Sequence, residues 1–248
     1  MNLLDDIRLS ELKLYLTTPY PCTYLPERLA CSQVAAPNFL ITPEVFAQLV
    51  QQGFRRSGTF IYRPHCDACQ ACTPVRVEVA GFVPSRTQRR AWQRHRALKI
   101  SLHGLEDKEE YYALYKRYQN IRHANGHMKD DNRQQYQNFL LASQANTMLV
   151  EFRENDVLRM VSIIDVLEDS LSAVYTFYEP NVPQARFGVY NVLWQIELCR
   201  MLKLDYLYLG YWIAQSQKMA YKKNFQPLQA LMHGKWQTLP NVTAPLNR

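Results

Sequence analysis

Three cysteines follow the spacing Cys66-x-x-Cys69-x-x-Cys72, and Cys22, Cys31 and Cys199 complete the six in this chain. Thiols clustered this way point to metal or redox chemistry when the chain carries no export signal, because disulfide frameworks belong to oxidising compartments. The opening MNLLDDIRLSELKLYL has early acids and no small-residue cleavage site, so it does not read as a signal peptide. No uninterrupted apolar run is long enough to span a bilayer. A cytoplasmic protein with reduced thiols is therefore expected, with no membrane partner. Cys22 with Cys66, Cys69 and Cys72 would supply the four donors that a structural zinc takes, with Cys31 and His65 as substitute ligands. A bacterial ferredoxin run would need a further Cys-Pro after Cys72, where Thr73-Pro74-Val75-Arg76 stands instead. Structural zinc, an iron–sulfur cluster and metal-free thiols all stay open, and Cys199, in an apolar helical pattern, reads as core.

A second chemical signal is charge. The net charge is +7, yet no acid lies between Glu78 and Glu106, while Arg86, Arg89, Arg90, Arg94, Arg96 and Lys99 all fall in that gap. Solvated faces usually mix signs, so this segment reads as a polyanion contact. Ser85 with Gln88 three residues on forms a capping-box pattern that starts a helix. Arg86, Arg90 and Arg94 then recur every four residues on one face. A row of guanidinium forks suits phosphate oxygens.

The elements that must position these groups come next. Thr42-Pro43-Glu44 opens a helix through VFAQLVQQGF, and TPVRVEVAGF alternates as a strand. Residues 1–82 are expected to form a small Cys-containing α+β domain. Residues 83–248, with the basic helix at their start, form a second domain. Within it a strand at ALKISLHG, two helices, three successive strands (TMLVEFR, VLRMVSIIDV, LSAVYTFY), a helix from Gly188, the strand DYLYLGYW, a short helix over Gln217–Tyr221 and a last strand at ALMHGKW follow. That order resembles the GNAT acyltransferase fold, in which two parallel strands splay apart and acyl donor and amine meet between them. The splayed pair would be Leu171–Tyr178 and Asp205–Trp212. A CoA-dependent member grips pyrophosphate through a glycine-rich helix start. Here Gln184-Ala185-Arg186-Phe187-Gly188-Val189-Tyr190 keeps one glycine. A CoA-dependent N-acetyltransferase is thus the weaker reading, a tRNA-borne ester the stronger, and a non-catalytic RNA-binding module with a zinc ribbon a third.

Six ordered segments carry a family resemblance: Pro21-Cys22-Thr23-Tyr24-Leu25-Pro26-Glu27-Arg28, Tyr62-Arg63-Pro64-His65-Cys66-x-x-Cys69-x-x-Cys72, Ser85-Arg86-Thr87-Gln88-Arg89-Arg90, Tyr175-Thr176-Phe177-Tyr178-Glu179-Pro180, Tyr208-Leu209-Gly210-Tyr211 and Met219-Ala220-Tyr221-Lys222. Together they resemble the aminoacyl-tRNA–protein transferases, and within them the bacterial branch that moves leucine. The resemblance implies transfer of leucine from leucyl-tRNA to the α-amine of proteins beginning with Asp or Glu, marking them for N-degron degradation. No cofactor is required for that chemistry.

An α-amine titrates near 7.7–8.0, so roughly a tenth is already neutral at pH 7, and an aminoacyl ester is reactive. Positioning, a modest proton acceptor and charge stabilisation suffice. Asp165 is the expected anchor for the acceptor's ammonium, with Tyr175 as hydrogen-bond donor at the leaving oxygen or oxyanion and Tyr178 beside it. Strand alternation sets Tyr175 and Phe177 on one face, Thr176 and Tyr178 on the other. An acidic acceptor side chain needs a cation from Arg186, Lys218, Lys222 or Lys223; Lys222 lies in a matching segment. Tyr208 and Tyr211 lie in another and are assigned to substrate binding. Arg86, Arg89, Arg90 and Arg94 are the expected tRNA contacts. Arg122, His123, Asn125, Gly126 and Met128 form a helix end that resembles the family; it would line the donor pocket, with Arg122 and His123 as tRNA contacts, or simply cap the helix.

Overall fold

A computed structural model gives the structure of the protein and describes residues 8–122, 131–182 and 185–239. His123, Asn125, Gly126, Met128 and Gln184 lie outside the described residues. The N-terminal strands are β1 (Lys13–Leu16), β2 (Tyr20–Pro21), β3 (Leu29–Ala30) and β4 (Ser32–Ala36). Helix α1 (Pro43–Gln51) starts where expected: Thr42 Oγ1 accepts from the Val45 N–H and Pro43 occupies the first turn. Its Val45, Phe46, Leu49 and Val50 are buried. The segment FRRSGTFIYR folds as the hairpin β5 (Arg55–Ser57) and β6 (Phe60–Pro64), and a sheet in the order β1-β4-β6-β5 results.

The strand β7 (Thr73–Glu78) corrects the expected domain boundary at residue 82. Rather than belonging to the N-terminal unit, it lies between β12 and β13 of the large sheet. Pairing across more than 120 residues leaves no local trace in sequence. The remaining elements are α2 (Arg86–Arg94), β8 (Lys99–His103), α3 (Glu109–Arg122), α4 (Arg133–Tyr136), β9 (Thr147–Glu154), β10 (Val157–Val166), β11 (Ser170–Tyr178), α5 (Phe187–Leu202), β12 (Tyr206–Trp212), α6 (Gln217–Ala220), β13 (Leu228–Met232) and β14 (Lys235–Thr238). Among the described residues the large sheet has the order β14-β13-β7-β12-β11-β10-β9-β8. The expected last strand is a hairpin, turned by His233 and Gly234, both at positive φ.

The expected splayed pair is present. β11 and β12 run parallel and pair only at Ser170–Tyr206, Leu171–Leu207 and Ser172–Tyr208. Both strands then bulge at the same level. Ile163 pairs with Tyr175 and Ile164 with Ala173, leaving Val174 over. Tyr208 pairs with Arg76 and Gly210 with Val75, leaving Leu209 over. An extra residue bends a strand and increases its twist. The two strands therefore part, each staying with its antiparallel neighbour.

One face of the sheet is covered by α2 and α5, whose Tyr190, Leu193, Trp194 and Ile196 pack on Val75, Val77, Phe152, Leu207 and Leu209. Cys199 is in this core as expected, and burial pushes its thiol up to about 12, out of reach of thiolate chemistry. The opposite face carries α1 against Tyr208, and α3 with α4 against Phe177. Among the described residues no helix is long and apolar enough to cross a membrane.

Asp165 joins the two sheets. It is fully buried on β10 and takes a two-pronged contact from Arg56 of β5, with Nε at 2.8 Å from Oδ2 and Nη2 at 2.8 Å from Oδ1. Thr147 Oγ1 donates to Oδ1 at 2.7 Å. Breaking such a pair strands a buried guanidinium, at about 3–5 kcal/mol. Asp165→Ala is expected to lower unfolding free energy by roughly that amount in urea titration; a loss below about 1 kcal/mol would show the pair to be unimportant.

Candidate active site

The opening between β11 and β12 is occupied by the Arg55 side chain. Nη1 donates to Ser172 Oγ at 3.1 Å and Nη2 to the Ala173 carbonyl, both on β11. On β12, a Cβ added at Gly210 would lie 3.2 Å from Arg55 Cζ, and Gly210 has φ +73°. Only glycine combines that backbone with so close a guanidinium.

Lys222, 7% exposed, follows α6 in the chain and donates from Nζ to the Tyr211 carbonyl at 2.6 Å. Burial first, then the nearby Arg55 charge, lowers its pKa to about 7. Neither Arg55 nor Lys222 has a carboxylate partner among the described residues. Buried charges are ordinarily paired. Two cations left unpaired side by side make a receptor for an anion. The expectation singled out Lys222, and the structure adds Arg55, which sequence reading missed. Its only signal was the doublet Arg55-Arg56 in a strand. Alternation sends the two side chains to opposite sides, Arg56 to Asp165 and Arg55 to the split.

One wall of the split is Tyr175. Its hydroxyl accepts from Gln119 Nε2 at 2.9 Å, and burial pushes the phenol above its ordinary pKa. It therefore stays protonated and keeps its own O–H to donate. Gln119, fully buried on α3, is a second residue that sequence reading missed. Beside it Tyr115 donates to Asp131 Oδ2 at 2.7 Å. The expected alternation holds: Tyr175 and Phe177 meet Phe139 and Tyr115, whereas Thr176 accepts from Asn191 of α5. Tyr178 closes the end of the strand between Tyr118 of α3 and Phe187 of α5, with ring centroids 4.9 and 5.8 Å away. Arg122 lies over its ring at 5.9 Å.

Other expected site residues take different places. Asp165 cannot anchor an ammonium in the split, because Arg56 and Thr147 engage both of its buried oxygens. Tyr208 is 3% exposed and its hydroxyl accepts from Arg76 Nη1 at 3.0 Å, while its ring packs on Trp236, so it belongs to the core and not to substrate binding. Tyr211 does border the split, but its hydroxyl is committed to the Gly53 carbonyl at 2.8 Å. Arg186 is exposed at the start of α5 with φ +56°, and Lys218 and Lys223 are exposed around α6.

The thiols lie near one another without forming a ligand set. Cys72 is pushed up to about 11 by burial and by Cys22, Cys66 and Cys69. Cys69 is lowered by the Ala71 N–H and by Arg28, and Cys66 Sγ meets the backbone of Cys31. Among the described residues no group of three or more Cys, His, Asp or Glu converges as metal donors do.

The basic helix α2 forms as expected. Ser85 Oγ accepts from the Gln88 N–H and Gln88 Oε1 from the Ser85 N–H. Gln88, Ala91 and His95 face inward, and Arg86, Arg89, Arg90, Arg94 and Arg96 are exposed. Arg86, Arg90 and Arg96 make no ion pair among the described residues. His95 fixes the helix to the start of α5, stacking on Phe187 at 4.5 Å and meeting the Ala185 carbonyl at 2.5 Å.

Fixed positive charge, a phenolic donor and an opened strand pair meet the needs of acyl transfer from an activated ester to an amine. The protein need supply no nucleophile. The chain belongs to the arginine-tRNA-protein transferase family: residues 20–90 match the family's N-terminal part and residues 110–232 its C-terminal part. The aspartate/glutamate leucyltransferase of Nitrosospira multiformis is 58% identical over 98% of this chain and 97% of its own length. That of Thiobacillus denitrificans is 55% identical over 92% and 95%. Among solved structures, L-PGS from Bacillus licheniformis is similar at 10% identity and a TM-score of 0.46, over 83% of this chain and 72% of that one.

Gly210→Ala is expected to force both a left-handed alanine and a displaced Arg55, lowering stability by about 1–3 kcal/mol. Chemical denaturation reads the loss, and an unchanged midpoint would mean that the wedge of Arg55 is not held by this contact.

Proposed function

We propose that this protein transfers leucine from leucyl-tRNA to the α-amine of polypeptides whose first residue is Asp or Glu. The unpaired cations Arg55 and Lys222 at the split carry the acceptor half of this reading, since an acidic first side chain is the charge they lack. The names of the full-length relatives support the donor half. A GNAT-like use of the split places the ester of the donor beside the acceptor nitrogen. The neutral amine adds to the ester carbonyl carbon. The bond to the ribose oxygen then breaks, and the proton lost by nitrogen ends on that oxygen, directly or through water. Tyr175 donates to the oxygen on which charge develops. Tyr178 and Arg122 border the same end of β11 and line the donor's approach.

CoA dependence is the poorer reading. At the start of α5 Phe187 and Tyr190 are 3% and 2% exposed, and a Cβ at Gly188 would lie 3.7 Å from the Tyr178 ring. Aromatic packing takes the space where a diphosphate would meet bare backbone N–H groups.

Lys222 is charged below about pH 7 and neutral above it. Binding of an acidic side chain therefore weakens as pH rises through 7, while kcat rises as the acceptor amine, with its pKa near 7.7–8.0, loses its proton. The expected profile is a KM for Glu-initiated peptide that climbs between pH 6.5 and 8 while kcat increases. Lys222→Met should flatten the KM profile and raise KM at pH 6.5 at least tenfold, about 1.4 kcal/mol, with Ala-initiated peptide poor throughout. Equal transfer to Ala- and Glu-initiated peptides overturns the acceptor reading.

The arginines Arg86, Arg89, Arg90 and Arg94 of α2 are the proposed contacts to the tRNA backbone. Reversing Arg86 and Arg90 to Glu should weaken leucyl-tRNA binding and lower the slope of log affinity against log salt by about 2. An unaltered slope, measured by filter binding, would assign the tRNA to another face.

A further inference from the structure

A groove of about 620 Å³ opens beside the split on the side of the N-terminal sheet. Its walls include Gln51 and Gln52 at the end of α1, Arg63 and His65 at the end of β6, Gln70 of the cysteine segment and His233 of the β13–β14 turn. We propose that this groove holds the residues that follow the first residue of the acceptor polypeptide, and that it favours acidic ones; the inference rests on the acceptor reading above and extends it.

Continuity is the first ground. Tyr211 and Cys72 also line the groove. The Tyr211 carbonyl is the acceptor for Lys222 Nζ. The groove therefore adjoins, through Tyr211, the cations that would hold the first side chain. An extended chain advancing about 3.3–3.6 Å per residue passes directly from one to the other.

Chemistry is the second. Among the described residues no carboxylate lines the groove. The Arg63 charge is fixed on its wall, because Nε donates to Gln33 Oε1 at 2.8 Å, Nη1 to the Gln52 carbonyl at 3.3 Å, and the guanidinium lies over the Phe54 ring at 4.7 Å. Glutamine amides both donate and accept, which matches the alternating N–H and C=O groups of a peptide main chain. The volume lies in the range of ordinary ligand clefts.

Placement is the third. Tyr211 of β12 reaches Gly53 on the face covered by α1, whereas Leu207 and Leu209 of the same strand face α5. The exposed arginines of α2 belong to the α5 side. The proposed tRNA-backbone contacts and the groove thus lie on opposite faces of the sheet, and only the ester end of the donor enters the split, beside Tyr175. This favours peptide over nucleic acid as the occupant of the groove.

The test uses the full chain with leucyl-tRNA and Glu-initiated acceptors. One set lengthens from dipeptide to hexapeptide; a second keeps six residues and fills positions 2–5 with Ala, Glu or Lys. KM is expected to fall at least fivefold from dipeptide to hexapeptide, and to be at least tenfold lower for the Glu-filled than for the Lys-filled peptide. His233→Glu with Gln70→Glu, and separately His65→Glu with Gln51→Glu, should level or reverse that order through KM, leaving the KM for leucyl-tRNA in place; all four residues are exposed. Transfer that is indifferent to length and to positions 2–5 overturns the inference while the acceptor reading stands. A rise in the KM for leucyl-tRNA in both variants overturns it by giving the groove to the donor. Failure of wild-type protein to use any of the Glu-initiated peptides strikes the acceptor reading itself and the inference with it.

Discussion

Two parallel strands that part after three paired residues leave backbone groups that neither strand can satisfy from the other. In this protein Arg55 meets them, binding Ser172 Oγ and the Ala173 carbonyl on one strand and pressing against Gly210 on the other. A buried carbonyl without a partner costs about 1–3 kcal/mol, so the guanidinium stabilises the open arrangement as it props it. Everything in the site follows from that wedge. It keeps the split open and sets positive charge at its base. It also lowers the pKa of Lys222 and ties the N-terminal sheet, through β5, to the large one. The neighbouring Arg56–Asp165 pair makes the second tie from the same three-residue strand. β5 is therefore anchored to β10 and β11 by consecutive side chains that leave it in opposite directions.

Much of this was legible in the chain where the signal was local. The capping box at Ser85 and Gln88, the helix start at Thr42 and Pro43 and the three successive strands before α5 all rest on patterns within ten or so residues, and the splayed parallel pair came from the order of elements and its resemblance to a known fold. Interactions that span the chain were not legible. The partners of β7 come from residues 206–212 and 228–230, and nothing near Thr73 announces them. Asp165 reads as a carboxylate at a strand end beside a turn, which suits a solvent-facing acid. Only the fold brings Arg56, 109 residues away, onto it. Tyr208 likewise shares a segment with Tyr211 and Gly210, yet strand alternation carries it to Arg76 and Trp236 in the core. Arg55 stayed hidden for the opposite reason: an arginine beside a turn looks like solvated surface until the strand that receives it is known.

The protein uses the same functional group in two electrostatic settings. The arginines of α2 are exposed, screened beyond about 8–10 Å at ordinary ionic strength, and suited to many weak contacts along a polyanion whose affinity falls with salt. Lys222 is buried and Arg55 half-buried at the split, where water is partly excluded. There a single charge interacts several times more strongly than at the surface, and one carboxylate at the right place is worth more than a row of phosphates outside. On the proposed assignment, steering of the large donor and recognition of one small acceptor side chain are thus separated in space and in range. The sheet between α5 and α1 keeps the two fields apart.

On the proposed assignment, the absence of an acid beside Lys222 among the described residues is the source of selectivity. A buried ammonium is costly, and an Asp or Glu on the wall would remove the cost, raise the lysine's pKa and leave nothing for a ligand to do. Cys72 is a nearby group whose ionisation could play that part, and burial holds its thiol at about 11, so it remains neutral where the lysine titrates. A carboxylate that enters with the ligand therefore gains the attraction that the folded chain leaves unused. A neutral side chain of similar size must displace water from two cations and offer nothing in return. Discrimination of this kind arises from an unmet charge more than from shape, and it reaches further than a hydrophobic pocket can, because an unpaired buried ion penalises every wrong ligand.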